Sequence, residues 1–481
     1  MIFDKKSNKK EESMIKRSLA VVFVLFLASI LYVSVAHAET NLTAGAAFRL
    51  RQEIWDDVVS LDTGNLATGG NPDRNFFRLR TQLWGRADFG QKFGIYARLA
   101  NEMKYFDGPF TAYKAGNDGP DPQRYDQDEI IIDNLYFDAK DVFGLPVDVR
   151  IGRQDFLGPD MYGEGFLLMD GSPADGSRTF YFNAAKLRWK INAKNSLDFV
   201  YIDDPRTDVF LPSVHPAVSG GLFVDNKKVM TASREQAFML YGRSKVSDNV
   251  TLEPYYIYKT EQSFGATPKL KLNTLGARAV VALNSGWNFG GEFATQFGDY
   301  DAGGKWHDRT GNGGYIFVGR KYENVGLKPE FDLRFVYLSG DDTGTADKNE
   351  TFDPLFSRNP NWNELIIYPL LNETAAFGGA GIPGYWTNME IFKATVKLNF
   401  SPQTALFLAY QYLWAPENSG LTTAMFGTGK ERGHLPTAIL THKFSKSLDG
   451  MAQLEYFIPG SYYSSQADNA TFFRLQLQYK L

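Results

Sequence analysis

The chain contains no cysteine. In an exported protein that excludes a disulfide framework, a thiolate nucleophile and a thiolate metal site. Histidine is scarce as well, five residues in 481. They are scattered, and His434 and His442 stand a whole candidate strand apart, so no metal-ligand spacing forms. No Gly-x-Ser-x-Gly elbow is present and no Ser/His/Asp grouping stands out. The expectation is a protein that is not an enzyme and uses neither a cofactor nor a metal. Charge of one sign is lacking too: the net charge is −4, too small for a global field that attracts nucleic acid or anionic lipid. After Ala38 no stretch is long and apolar enough to cross a membrane as a helix.

What is present is aromatic residues and alternation. The chain has 38 Phe, 25 Tyr, 8 Trp and 45 Gly, yet its mean hydropathy is only −0.30. Alternating strands give that combination, because each polar face cancels an apolar one. The last segment shows it plainly. Phe473, Leu475, Leu477, Tyr479 and Leu481 share one parity, while Arg474, Gln476, Gln478 and Lys480 share the other. A strand sends those two sets to opposite faces. In a membrane, strands satisfy all their backbone groups only as a closed barrel.

The other end fixes the expected compartment. Lys16 and Arg17 precede an apolar run from Leu19 to Val35, followed by Ala36-His37-Ala38. This reads as a secretory signal over residues 1–38, cleaved before Glu39, with the barrel over residues 39–481. The competing reading is an uncleaved anchor, but no basic stop-transfer cluster follows the run. Met14 also has the look of a start, so Met1 to Ser13 reads as an extension.

Periodicity gives about eighteen candidate strands, the first near 48–56 and the last near 470–481. Short turns at 90–92, 247–249, 284–286 and 401–403 alternate with long polar connections near 57–75, 106–127, 155–180, 204–233, 340–388 and 415–433. Such alternation is the asymmetry of an outer-membrane barrel with periplasmic turns and surface loops. It predicts an all-β, transmembrane antiparallel β-barrel in the bacterial outer membrane, meeting lipid and lipopolysaccharide. The glycine stretch from Gly303 to Gly314 precedes no helix, so it reads as an outer loop tip rather than a phosphate cradle. Asp118, Asp121, Asp126 and Asp128 read as a solvated acidic loop; the sharper alternative is a divalent cation bridging lipopolysaccharide. The longest connection holds Trp362, Tyr368, Tyr385 and Trp386, and the sequence does not choose between a plug and an exposed loop.

Several segments carry a resemblance. They are Val149-Arg150-Ile151-Gly152-Arg153-Gln154, the loop from Asp170 to Thr179, Ser339-Gly340-Asp341, Phe352-Asp353-Pro354-Leu355-Phe356, and Glu455-Tyr456-Phe457-Ile458-Pro459-Gly460. Together they resemble the alginate export family, over nearly all of the mature chain. The resemblance implies an eighteen-stranded barrel whose positive lumen passes an anionic exopolysaccharide outward, with periplasmic secretion scaffold proteins as partners. The alternative from the residues is a porin taking in small anionic or acidic solutes.

The lumen can be read from parity alone. If the apolar parity faces lipid, the second strand sends Arg78, Arg80, Gln82 and Arg86 inward. The sixth sends Lys186, Arg188 and Lys190, and the fourteenth Lys393, Thr395 and Lys397. Arg49, Arg51, Arg98, Arg150, Arg278, Arg334 and Arg474 fall inward by the same test, and Arg153 of the Arg-x-Gly-Arg-Gln run is taken with them. A plain reading pairs these cations with Glu53, Asp88, Glu102, Glu253, Glu292, Asp332 and Glu455. The sharper reading is an electropositive constriction that selects carboxylated sugars, because Arg offers a planar fork that matches a carboxylate. Three successive inward cations on the sixth strand, hard to neutralise locally, favour it. Tyr96, Tyr136 and Gln411 are candidates to stack on or hydrogen-bond a sugar.

Overall fold

A computed structural model of the chain describes residues 39–58, 61, 74–107, 123–165, 167, 169, 182–214, 231, 233–265, 268–357, 363–366, 386–418 and 426–481. The expected signal segment, the Asp170 to Thr179 loop, Asp118, Asp121, Trp362, Tyr368 and Tyr385 lie outside them.

Eighteen antiparallel strands form one closed sheet. They are β1 (Thr40–Asp56), β2 (Arg74–Phe89), β3 (Phe93–Asp107), β4 (Gln123–Ala139), β5 (Val147–Gln154) and β6 (Phe182–Lys190). Next come β7 (Asn195–Asp204), β8 (Glu235–Ser247), β9 (Val250–Glu261), β10 (Lys269–Ala282), β11 (Trp287–Ala302) and β12 (Lys305–Lys321). The ring ends with β13 (Glu330–Leu338), β14 (Met389–Asn399), β15 (Thr404–Trp414), β16 (Glu431–Lys443), β17 (Leu448–Pro459) and β18 (Ala470–Lys480). Each strand pairs with its sequence neighbour, and β18 closes on β1 from Ala47↔Lys480 to Asp56↔Thr471. Closure leaves no edge strand, which is what a lipid environment demands.

Three expectations about boundaries are corrected. Strand β1 begins eight residues earlier than its apolar alternation announces, since Thr40 to Ala47 are, apart from Leu42, small or polar yet pair fully with β2. The glycine stretch is no loop: Gly311, Gly313 and Gly314 lie inside β12, paired with β11 and β13. Only Gly303 and Gly304 turn, at φ 66° and 88°, the left-handed conformation that a tight hairpin requires of two central residues. Similarly, Asp126 and Asp128 belong to β4 rather than to a loop.

Burial confirms the parity. Outward Leu83, Phe293, Ile316 and Leu333 are 49–65% exposed, against 7% for inward Arg78 and 5% for inward Glu292. The exposed faces are the lipid-facing band. Trp189, Trp287, Phe331, Phe400, Phe444 and Tyr479 ring its short-turn end, where amphipathic rings meet headgroups.

The interior has two tiers. Towards the long-loop end most inward side chains are apolar and covered, Phe76, Phe182, Ile202, Met239, Leu272, Leu338, Met389, Leu435 and Phe472 being 3% exposed or less, with Glu235, Lys259 and Glu261 buried among them. Midway and below they become charged. What covers the apolar tier is chain from two connections, bringing Phe156, Tyr162, Leu167 and Met169 from one, and Phe352, Leu355, Phe356, Leu365, Ile366 and Trp386 from the other. The two meet at a bridge between Met169 and Phe356. The described parts of the longest connection therefore pack inside the barrel, resolving the choice that the sequence left open.

Candidate functional site: a charged lumen crossed by two straps

The first strap leaves β5 and runs inward through Asp155 to Gly165. Its Asp160 carboxylate meets Lys186 Nζ at 2.5 Å, Arg150 Nη1 at 3.0 Å and Arg188 Nη2 at 3.2 Å. Four residues on, Glu164 meets Arg334 Nη1 at 2.5 Å and lies 3.6 Å from Arg278 Nη2. The strap thus spans from the β5–β6 wall to the β10 and β13 wall. Between the two acids, the Tyr162 hydroxyl donates to Asp198 at 3.1 Å and the Gly163 N–H donates to the Tyr241 hydroxyl at 2.9 Å. Gly163 and Gly165 take φ of 60° and 74°, which lets the chain double back where a side chain would be strained. Burial raises the Asp160 carboxyl, but Lys186, Arg150 and Arg188 outweigh it and hold the group below its ordinary value. Asp155, deeper and beside a second acid, goes the other way: burial pushes it up to about 6 despite Arg98.

The second strap is fastened by the motif segments that the sequence singled out. Asp353 exchanges two hydrogen bonds with Gln296 of β11, N–H to Oε1 at 2.8 Å and Nε2 to carbonyl at 2.7 Å. Lys259 of β9 donates to the Leu355 carbonyl at 3.0 Å. Glu455 accepts the N–H groups of Glu364 and Leu365 at 3.0 and 2.9 Å, and Arg474 binds Glu364 at 2.6 Å. Ser339 accepts the Asn312 N–H at 3.0 Å and donates to the Glu350 carbonyl at 2.6 Å, while Asp341 accepts the Glu350 N–H at 2.9 Å. Gln411, expected to touch sugar, is fully buried and donates to Asn363 at 2.5 Å; it holds the strap.

On the wall, each expected cation can be placed. Arg78 bridges Glu53 at 3.4 Å and Glu102 at 3.0 Å, and Arg80 is buried beside them, opposite Glu102 in register. Arg86 binds Asp88 and Asp138 at 2.8 and 3.0 Å, and Arg98 binds Asp133 and Asp155, each at 2.8 Å. Arg150 adds Asp138 at 2.6 Å and stands 4.2 Å over the Tyr136 ring, itself stacked on Tyr96 at 5.0 Å. Arg188 binds Asp198 at 2.8 Å, and Arg278 binds Glu253 at 2.8 Å. Lys393 is buried opposite Arg334. Lys190, between Asp141 and Asp148 at 2.8 Å each, and Lys397, 3.1 Å from Glu330, sit at the short-turn rim rather than in the constriction.

Three expectations change. The sixth-strand cations Lys186, Arg188 and Lys190 are all neutralised locally, by acids from the strap, from β7 and from the turn before β5. Glu292 and Glu455, expected as ion partners, instead accept from the Tyr255 hydroxyl and from the second strap's N–H groups. Arg153 is on the opposite parity from Arg150 and Gly152. Its guanidinium is clasped by Asp208 at 2.6 Å, Asn183 at 3.1 Å and the Ile132 carbonyl at 3.0 Å, so it pins the β7–β8 connection instead of lining the path. That connection also lays Ser213–Val214 against Ile130 and Ile131, where β4 outruns β5. Arg243, which the parity reading passed over, binds Asp198 at 2.6 Å and the Met161 carbonyl at 2.9 Å; it stands two strands from Lys186 and joins the same cluster through Asp198, which Arg188 also binds, and through the strap.

One arrangement is not what neutralisation alone produces. Arg49 stands directly across from Arg80, Arg51 from Arg78, Arg150 from Lys186, and Arg334 from Lys393. Like charges directly opposite destabilise a sheet; a merely structural wall would alternate signs. These like-charged pairs lie on the inner wall, with Glu53, Glu102, Asp138 and Asp332 of the wall and Asp160 and Glu164 of the strap set against them. Among the described residues no group of three or more His, Asp or Glu is placed to hold a metal.

Comparison with known proteins agrees with the fold. The outer membrane protein OprD of Pseudomonas aeruginosa superposes with a TM-score of 0.51 at 12% identity, covering 93% of this chain and 96% of that one. Acinetobacter baumannii OccAB2 gives 0.54 at 12% identity over 91% and 98%, and a BenF-like porin of Pseudomonas fluorescens Pf-5 gives 0.54 at 10% over 92% and 98%. A search of curated protein sequences gives no match. The family model for alginate export matches residues 41–422. With that match spanning most of an eighteen-stranded, cation-lined barrel, the chain belongs to the alginate export family.

Proposed function

We propose that this outer-membrane channel passes a carboxylated, uronate-type polysaccharide outward from the periplasm. The observation that carries the reading is the set of opposed cation pairs on the inner wall. Arg and Lys rings make anion-selective pores, and a guanidinium fork suits a carboxylate better than a small spherical anion. Energy comes from polymer synthesis or from a concentration gradient; the chain supplies a path, not a reaction. Periplasmic scaffold proteins meet the short-turn end and deliver the polymer there. The test is planar-bilayer conductance of the purified barrel in a salt gradient, with polyuronate or a neutral glucan added on the short-turn side. Anion preference with block by polyuronate alone is the expected result. Cation preference overturns the reading; anion preference with flux of small acids and no polyuronate block gives it to the uptake porin.

A further inference from the structure

The five cations that hold Asp160 and Glu164 all belong to barrel strands, whereas both acids belong to one strap. The wall has acids of its own beside the same cations: Asp138 on Arg150, Asp198 on Arg188, Glu253 on Arg278 and Asp332 near Arg334 at 3.4 Å. The strap therefore adds a second carboxylate to guanidinium groups that already have one, in the part of the lumen a passing anion must cross. Each addition has the geometry of ligand capture: three cations converge on Asp160 and two on Glu164. The strap is itself held at this point by contacts that a ligand does not need, through Tyr162, Gly163 and the Met161 carbonyl.

We infer that Asp160 and Glu164 occupy two carboxylate-binding subsites of the transport path, standing in for two carboxylates of one transported chain. The inference rests on the reading above and sharpens it. The Cα atoms of Asp160 and Glu164 lie at most about 14 Å apart, so the two subsites suit a ligand with at least two carboxylates at roughly that spacing. A tethered carboxylate competes at an effective concentration on the order of millimolar, and a site open only part of the time binds with affinity reduced by that fraction. The resting strap thereby keeps mono-carboxylates out and yields to a polymer that engages both subsites at once.

The test uses the full chain in planar bilayers with galacturonate (one carboxylate) and trigalacturonate (three) as blockers. In the native protein trigalacturonate should block at a concentration at least about tenfold lower than galacturonate, as bivalent engagement implies. In the Asp160→Asn, Glu164→Gln double variant its half-blocking concentration should fall by about another tenfold, with galacturonate moving much less. Asp138→Asn controls for a general gain in positive charge: it removes a wall acid and should shift both blockers alike. Equal block by the two sugars in the native protein overturns the inference. So does a double variant that matches Asp138→Asn. If the double variant does not assemble, each single substitution should give part of the shift, and its absence in both is likewise fatal. The zero-current potential, measured in the same bilayers, separates the two levels: cation preference sinks the export reading, whereas anion preference with unshifted block sinks the subsites alone.

Discussion

Removing Arg150 and Arg188 together, as Gln, should weaken the anion preference of the channel by about tenfold. Both side chains face the lumen on neighbouring strands and stay partly exposed, at 20% and 21%. A unit charge about 6 Å from a passing ion contributes roughly 0.7 kcal/mol in water-like dielectric, and at about 0.1 M salt that distance lies within the Debye length. Two charges shift an anion and a cation by about 1.4 kcal/mol each in opposite directions, about 2.8 kcal/mol in their ratio. Screening over that distance roughly halves this to about 1.4 kcal/mol, a factor of about ten in the anion-to-cation permeability ratio. The acids Asp138, Asp160 and Asp198 remain, each still paired with Arg86, Lys186 or Arg243, so the local positive excess is lost. The assay is the zero-current potential under a salt gradient, which should move towards the cation limit and move less as salt rises. Lys190→Gln, at the open rim between two acids, should shift it far less. Leu83→Arg, 49% exposed on the lipid face, should instead impair assembly, since an Arg near the bilayer midplane costs about 2–4 kcal/mol. An unchanged potential in the double variant would refute the assignment of these residues to the ion path.

Acidification offers a test at Asp155. Its carboxyl is raised to about 6 from an ordinary 3.8, so it is charged at pH 7 and protonated by pH 5. Losing that charge leaves Arg98 with Asp133 alone, and anion preference should rise between pH 7 and 5 in the native barrel but not in Asp155→Asn. The folded state holds this proton more tightly than the unfolded chain does, so its contribution to stability falls as pH rises from about 4 to 6 and is regained on acidification. Gly152→Ala should slow assembly and lower the temperature at which the barrel unfolds on a gel, because φ is 131° there and an added Cβ falls 2.2 Å from the Leu135 carbonyl. A cysteine placed at Gly304 should react with an impermeant label on intact cells, while one at Asn249 should not; the reverse pattern inverts the barrel.

Local alternation alone is enough to define the strands and which of their faces meets lipid. Side-chain alternation is a property of one strand with itself, so Phe473 against Arg474, or Leu79 against Arg80, already separates the two faces. Closure followed from the same pattern, since unpaired edges have no place in a membrane. Thr40 to Ala47 were missed because small residues alternate without contrast; their strand state comes from pairing with Phe89 to Gln82. Arg153 shows how closely the rule must be followed: its motif invited grouping with Arg150, yet three residues along a strand is the opposite face. Everything the straps do, by contrast, comes from contacts between distant parts of the chain. No local pattern places Asp160 beside Lys186 or Glu164 beside Arg334, 26 and 170 residues away. Those contacts depend on the curvature of a closed barrel and on where a connection enters it. For the same reason the sixth-strand cations looked hard to neutralise from one strand's sequence. Their partners come from a loop, a turn and the next strand, brought together by the closed wall.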